Sequence, residues 1–87
     1  MEYQVEFSKK ALKSFLKIPK VTRDKILDKL KSLSVDPYQP NNNIKKFIGE
    51  DDGFRLRVGD FRVVYIIKQQ KLLICVINIG HIKEVYK

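Results

Sequence analysis

Two stretches in the second half of this chain, Phe61 to Ile67 and Leu72 to Ile79, are apolar at nearly every position. Only Lys68-Gln69-Gln70-Lys71 separates them. A short run that is apolar on both faces reads as a strand with neighbours on both sides and cover above it. Two such runs with so brief a link must pair antiparallel, because a parallel return needs a crossover of a dozen or more residues. In a chain of 87 residues, the other segments must therefore supply the flanking strands and the cover.

The flanking segments fit that demand. In Phe54-Arg55-Leu56-Arg57-Val58 the apolar residues fall on one face and the arginines on the other. Gly59-Asp60 then reads as a two-residue hairpin turn with glycine first. Residues 44–48 read as a further short strand, after the loop punctuation of Asp36-Pro37, Gln39-Pro40 and Asn41-Asn42-Asn43. At the start, Tyr3, Val5 and Phe7 alternate with Glu2, Gln4 and Glu6, the pattern of a half-buried strand. Ser8 is a good N-cap for a helix carrying Ala11, Leu12, Phe15 and Leu16. Pro19 ends that helix, and a second one starts near Thr22, with Asp24 in its first turn and Ile26, Leu27, Leu30 and Leu33 as its core stripe.

The expected fold is one α+β domain over residues 1–87, in the order β-α-α-β-β-β-β. An antiparallel sheet is packed on one face by an N-terminal helical hairpin. Leu12, Phe15, Leu16, Ile26, Leu30 and Leu33 should lie against Val63, Tyr65, Leu73 and their neighbours. No apolar run reaches the ~18–20 residues of a membrane span. The N-terminus lacks the apolar segment of a signal peptide. A single cysteine excludes an internal disulfide framework or a multi-cysteine metal site. These features lead us to expect a cytoplasmic protein without a membrane partner, and Cys75 reads as a small buried hydrophobe.

Charge directs the functional reading. Eighteen Lys+Arg against ten Asp+Glu give a net charge of +8, which favours a polyanionic partner over an uncharged one. Arg55 and Arg57 lie opposite the apolar face of their strand, and Arg62 is the one charged residue inside the next. These three admit plain readings: solvated side chains, an Arg62 paired with Asp60 or Glu84, or long stems reaching water. With His81, Lys83 and Tyr86 on the segment leaving the last strand, they also form a candidate phosphodiester site, since arginine forks onto phosphate oxygens bidentately. His81, the only histidine, is a capping residue or a general acid or base. Tyr86 either packs at the sheet edge or transfers a proton with help from nearby cations. No carboxylate cluster for magnesium and no Gly-rich phosphate loop is evident, so phosphodiester chemistry here should need no metal or other cofactor. Such chemistry favours RNA, which carries its own 2′-hydroxyl nucleophile.

Three segments then carry a resemblance: residues 6–13 opening the first helix, Gly53-Phe54-Arg55-Leu56-Arg57-Val58-Gly59-Asp60-Phe61-Arg62-Val63-Val64-Tyr65, and Ile79-Gly80-His81-Ile82-Lys83-Glu84-Val85-Tyr86. Together they resemble the RelE/ParE toxin superfamily across essentially the whole chain. The resemblance implies a microbial-ribonuclease-like fold and a toxin of a type II toxin–antitoxin pair. RelE-like members cleave mRNA on the ribosome without a metal. It assigns catalytic roles to Arg55, Arg57, Arg62, His81 and Tyr86 and RNA contacts to Lys45, Lys46 and Lys83, with a cognate antitoxin, the ribosome and mRNA as partners. ParE-like members share the fold and act on DNA gyrase instead. A gyrase inhibitor and an inactive RNA-binding relative are therefore the alternative readings.

Overall fold

The computed structural model describes residues 2–39, 41, 43–46 and 53–82. Five strands, β1 (Gln4–Phe7), β2 (Ile44–Lys46), β3 (Gly53–Val58), β4 (Phe61–Lys68) and β5 (Leu73–His81), form one sheet in the order β1-β5-β4-β3-β2. Two helices, α1 (Lys9–Leu16) and α2 (Lys20–Val35), intervene between β1 and β2. The α+β class and the element order are as expected from the sequence. The sheet is mixed, however: β2 to β5 form an antiparallel meander, while β1 joins β5 in parallel, with Val5 opposite Ile74 and Phe7 opposite Val76. Alternation in β1 marks one buried face and carries no information on strand direction, so the parallel pairing lay beyond it.

The two apolar runs become β4 and β5, two of the three strands flanked by strands on both sides. Between β4 and β5 the register slips at Val64/Tyr65: Val64 faces Asn78 and Tyr65 faces Val76, so Ile77 is the extra residue of a bulge. The link between them is a 3₁₀ turn at Gln69–Lys71, closed by Leu72 in the left-handed region at φ 50° and ψ 50°. At the other hairpin Gly59 has φ +59°, which glycine adopts without the penalty a side chain would bring.

Ser8 starts α1 and ties it to the sheet. Its Oγ accepts from the Ala11 N–H at 3.1 Å and donates to the Ile77 carbonyl at 3.1 Å. One hydroxyl thus caps the helix and engages the bulged residue of β5. Ser8→Ala should cost about 1 kcal/mol, as typical for a lost N-cap, and lower the melting temperature by about 4–8 °C for a domain of this size. Thermal unfolding followed by circular dichroism measures this.

The second helix begins earlier than Thr22. Pro19 is its N-cap, and the Arg23 N–H reaches the Pro19 carbonyl at 2.9 Å. Asp24 therefore lies beyond the first turn, where it forms an exposed pair with Lys20 at 3.3 Å instead of facing the helix N-terminus.

The core lies on one face of the sheet. Ala11, Ile26, Leu30 and Leu33 pack with Leu56, Val63, Tyr65, Ile67, Ile74 and Val76, with Phe15 partly buried against them. Leu12 and Leu16, expected inside, are 46% and 61% exposed, as is Leu27 at 46%. On α1 the small Ala11 is the residue pressed to the sheet, and close approach there rotates the two leucines outward. Parity in β5 is also displaced by one, so that Ile74 and Val76 take the core positions and Leu73 and Cys75 are only partly buried. No helix among the described residues is long and apolar enough to cross a membrane.

Candidate nucleic-acid interface

Strand register decides which side chains meet on the face of the sheet away from the helices. Leu56 pairs with Val63 and both are buried in the core. The residues between, Arg55, Arg57 and Arg62, therefore project to the opposite face. Arg57 and Arg62 lie directly opposite each other. The Arg57 N–H donates outward to the Asn43 carbonyl at 2.9 Å, which makes this a non-hydrogen-bonded pair, the closer of the two kinds. Arg55 is likewise opposite Lys45 on β2. Four cations thus stand on this face as two directly opposed like-charge pairs, an arrangement that destabilises an isolated sheet.

Exposure grades along the group. Arg57 is exposed, Arg55 half-buried, and Arg62 only 8% exposed. Gly80, which pairs with Arg62 on the other side, adds no side chain over it. The Arg57 Nε donates to the Gly59 carbonyl at 3.3 Å, which draws its side chain toward the hairpin turn.

The sequence-derived site is only partly assembled among the described residues. Arg55, Arg57, Arg62 and Lys45 come together. Lys46 pairs with Phe54, a residue packed against the core, and so belongs to the opposite face. His81 pairs with Phe61 and stacks edge-on against it, with ring centroids 5.3 Å apart at 77°. Phe61 packs against the core, so the pleat turns His81 toward the helix side and away from Arg62. The expectation that His81 converges with the arginines is not met, because pleating alternates Gly80 and His81 between faces. Lys83 and Tyr86 lie outside the described residues.

A second feature was missed in the sequence. Lys25, Asp28, Lys29 and Ser32 share one stripe of α2 and line a groove of about 430 Å³ with Gln39, Asn43, Arg57, Val58 and Gly59. The Gln39 amide braces its wall, donating to the Ser32 carbonyl at 3.2 Å and the Asp36 carbonyl at 3.0 Å. The i, i+3, i+4, i+7 spacing of the stripe was visible in the sequence; its meeting with Arg57 was not.

Beneath the helices, Tyr65 is fully buried and stacks on Phe54 with centroids 5.7 Å apart. Its hydroxyl has no hydrogen-bond partner among the described residues. Burial pushes its pKa up from 10.0 to about 12. The unfolded chain would ionise first, so this group's stabilising effect is present below pH 10 and is lost as pH rises through about 12. Tyr65→Phe should retain or raise stability, because it removes an unpartnered buried hydroxyl. It should also soften the alkaline decline, as measured by urea midpoints at neutral pH and above pH 10.

Two helices on one side of a five-stranded mixed sheet, with opposed cations on the other, define a small basic α+β domain. The comparisons give that class its family. Residues 5–86 match the model of the ParE toxin of type II toxin–antitoxin systems. The archaeal RelE–RelB complex from Pyrococcus horikoshii is similar at TM-score 0.82 and 25% identity, covering 94% of this chain and 97% of that one. The isolated Escherichia coli RelE toxin is similar at TM-score 0.81 and 27% identity, covering 97% and 90% respectively. A candidate RelE-like toxin protein of Escherichia coli is 32% identical over 80 residues, 92% of this chain and 83% of that protein. The chain belongs to the RelE/ParE superfamily of type II toxin–antitoxin toxins.

Proposed function

We propose that this toxin is a ribosome-dependent endoribonuclease that cleaves mRNA and so inhibits translation. The observation that carries the reading is the direct opposition of Arg57 and Arg62, with Arg55 and Lys45 beside them. A phosphate at this point of the sheet would meet two guanidiniums in closest register, each able to fork onto its oxygens. Their attraction for the phosphate grows as negative charge builds on phosphorus, so the arrangement suits a transition state better than a passive surface.

The mRNA 2′-oxygen would attack its own phosphate, displacing the 5′-oxygen of the next nucleotide. A 2′,3′-cyclic phosphate and a free 5′-hydroxyl result. Arg62 with Arg57 or Arg55 would hold the non-bridging oxygens. The proton leaves the 2′-hydroxyl and another joins the departing oxygen, with His81 and Tyr86 as the residues proposed to move them. His81 would have to act from the strand end, past Gly80. A loss of less than about tenfold on His81→Ala assigns it to packing on Phe61 and leaves proton transfer to Tyr86, since a working general acid or base contributes about 100-fold or more. Lys83 and Lys46 would serve as further RNA contacts outside the arginine group.

A cognate antitoxin is the proposed protein partner, as RelB is for RelE in the Pyrococcus horikoshii complex. Leu12 and Leu16, one turn apart and exposed on α1 among Lys9, Lys13 and Lys17, suit an apolar and acidic segment. The test is induction without antitoxin, with mRNA ends mapped on and off the ribosome. New 5′-hydroxyl ends confined to translated mRNA are expected. Growth arrest with intact mRNA and stalled DNA replication would instead select gyrase inhibition.

A further inference from the structure

The α2 groove combines charges that a simple phosphate pocket would not. Lys25 and Lys29 are one turn apart on the helix and face Arg57 across about 430 Å³ of space, with Asp28 between them on the same stripe. No ion pair among the described residues engages Lys25, Asp28 or Lys29. Their charges are therefore not spent on one another. A carboxylate repels a bare phosphate at close range. It accepts strongly from a hydroxyl, however, because hydrogen bonds to charged groups are among the strongest a protein makes. A ligand that satisfies the whole lining must present an anion and an O–H donor a few ångströms apart. The sugar–phosphate backbone of RNA does so at every nucleotide, and that of DNA lacks the hydroxyl.

Arg57 makes the groove continuous with the sheet site. It stands opposite Arg62 on one side and lines the groove on the other, its Nε held by the Gly59 carbonyl. A strand with one phosphate on the arginine pair can therefore continue over the β3–β4 turn.

We infer that the groove formed by Lys25, Asp28, Lys29 and Arg57 is a ribose–phosphate subsite. It holds the backbone of a nucleotide flanking the one at Arg62, with Asp28 accepting from the 2′-hydroxyl. The inference rests on the nuclease reading for the placement of the strand, and on the groove alone for the preference for RNA. Its consequence is that this chain distinguishes RNA from DNA through its backbone, away from the reacting phosphate.

The experiment measures fluorescence anisotropy of the full chain with labelled oligouridylate and oligodeoxyuridylate of equal length, across a salt series. The wild type should prefer RNA by about tenfold or more, the scale of one hydrogen bond to a charged group. Lys25→Ala/Lys29→Ala should reduce the slope of log affinity against log salt by about 0.7, the value for one neutralised phosphate of a single strand. Asp28→Ala should abolish the preference while binding DNA at least as tightly. Asp28→Asn serves if the alanine variant loses its helical circular dichroism, and it should narrow the preference in the same direction. Equal affinity of the wild type for the two oligonucleotides overturns the inference, as does an unchanged salt slope in the lysine variant. Ribosome-dependent cleavage is assayed in parallel on the wild type. Cleavage with no RNA preference removes the groove alone. RNA preference with no cleavage removes the nuclease reading and retains the groove.

Discussion

Replacing Arg62 by alanine is expected to slow mRNA cleavage about 100–1000-fold, equivalent to about 2.7–4 kcal/mol of lost transition-state stabilisation for one positioned donor. Arg62 is 8% exposed and sits opposite both Arg57 and Gly80. A donor held in a mostly dry strand needs little reorganisation as charge develops on phosphorus. Arg62→Lys should recover only part of the rate, because a compact ammonium cannot make the two parallel contacts of a guanidinium. Single-turnover cleavage on programmed ribosomes gives the rate, and a thermal melt shows whether the fold persists. Wild-type cleavage by a folded Arg62→Ala would remove the arginine pair from the mechanism.

The second large effect lies in the core. Ile26→Ala should destabilise the domain by about 2–5 kcal/mol, the sum of lost transfer energy and a residual cavity. Ile26 is fully buried on α2 within the cluster that includes Leu30, Leu33, Val63 and Tyr65. Small domains have total stabilities of about 5–15 kcal/mol, so such a loss is a large share of the total. Urea unfolding should show a lower midpoint with an unchanged slope. A loss below about 1 kcal/mol would mean that α2 collapses onto the sheet to fill the space. The same variant should retain RNA affinity when folded, because its side chain lies on the opposite face of α2 from a groove residue such as Asp28.

Arg62 and Ile26 also show how far local pattern reaches. Ile26, Leu30 and Leu33 were legible as one helical stripe, and all three are buried. Arg62 was legible as the lone charge in an apolar run. Leu12 and Leu16 have the same helical spacing but are exposed. Periodicity identifies an apolar face without saying how much of it the sheet will cover. His81 shows the corresponding limit in a strand. Its nearness to Gly80 in sequence suggested a place beside the arginines, whereas the pleat puts neighbours on opposite faces.

Residue type and spacing alone therefore determined the order of elements, the glycine turn at Gly59, the cap at Ser8, the sheet-interior place of β4 and β5 and the candidate role of the arginines. Each follows from interactions within a few residues, or from a period of 2 or 3.6 that any chain must obey. Only the tertiary structure decided that β1 runs parallel to β5, that Arg57 opposes Arg62 and Lys45 opposes Arg55, that Lys46 and His81 lie on the other face, and that Lys25 and Lys29 meet Arg57 across a groove. Those relations depend on strand register and helix placement. They are set by the simultaneous packing of residues far apart in the chain, which no local pattern encodes.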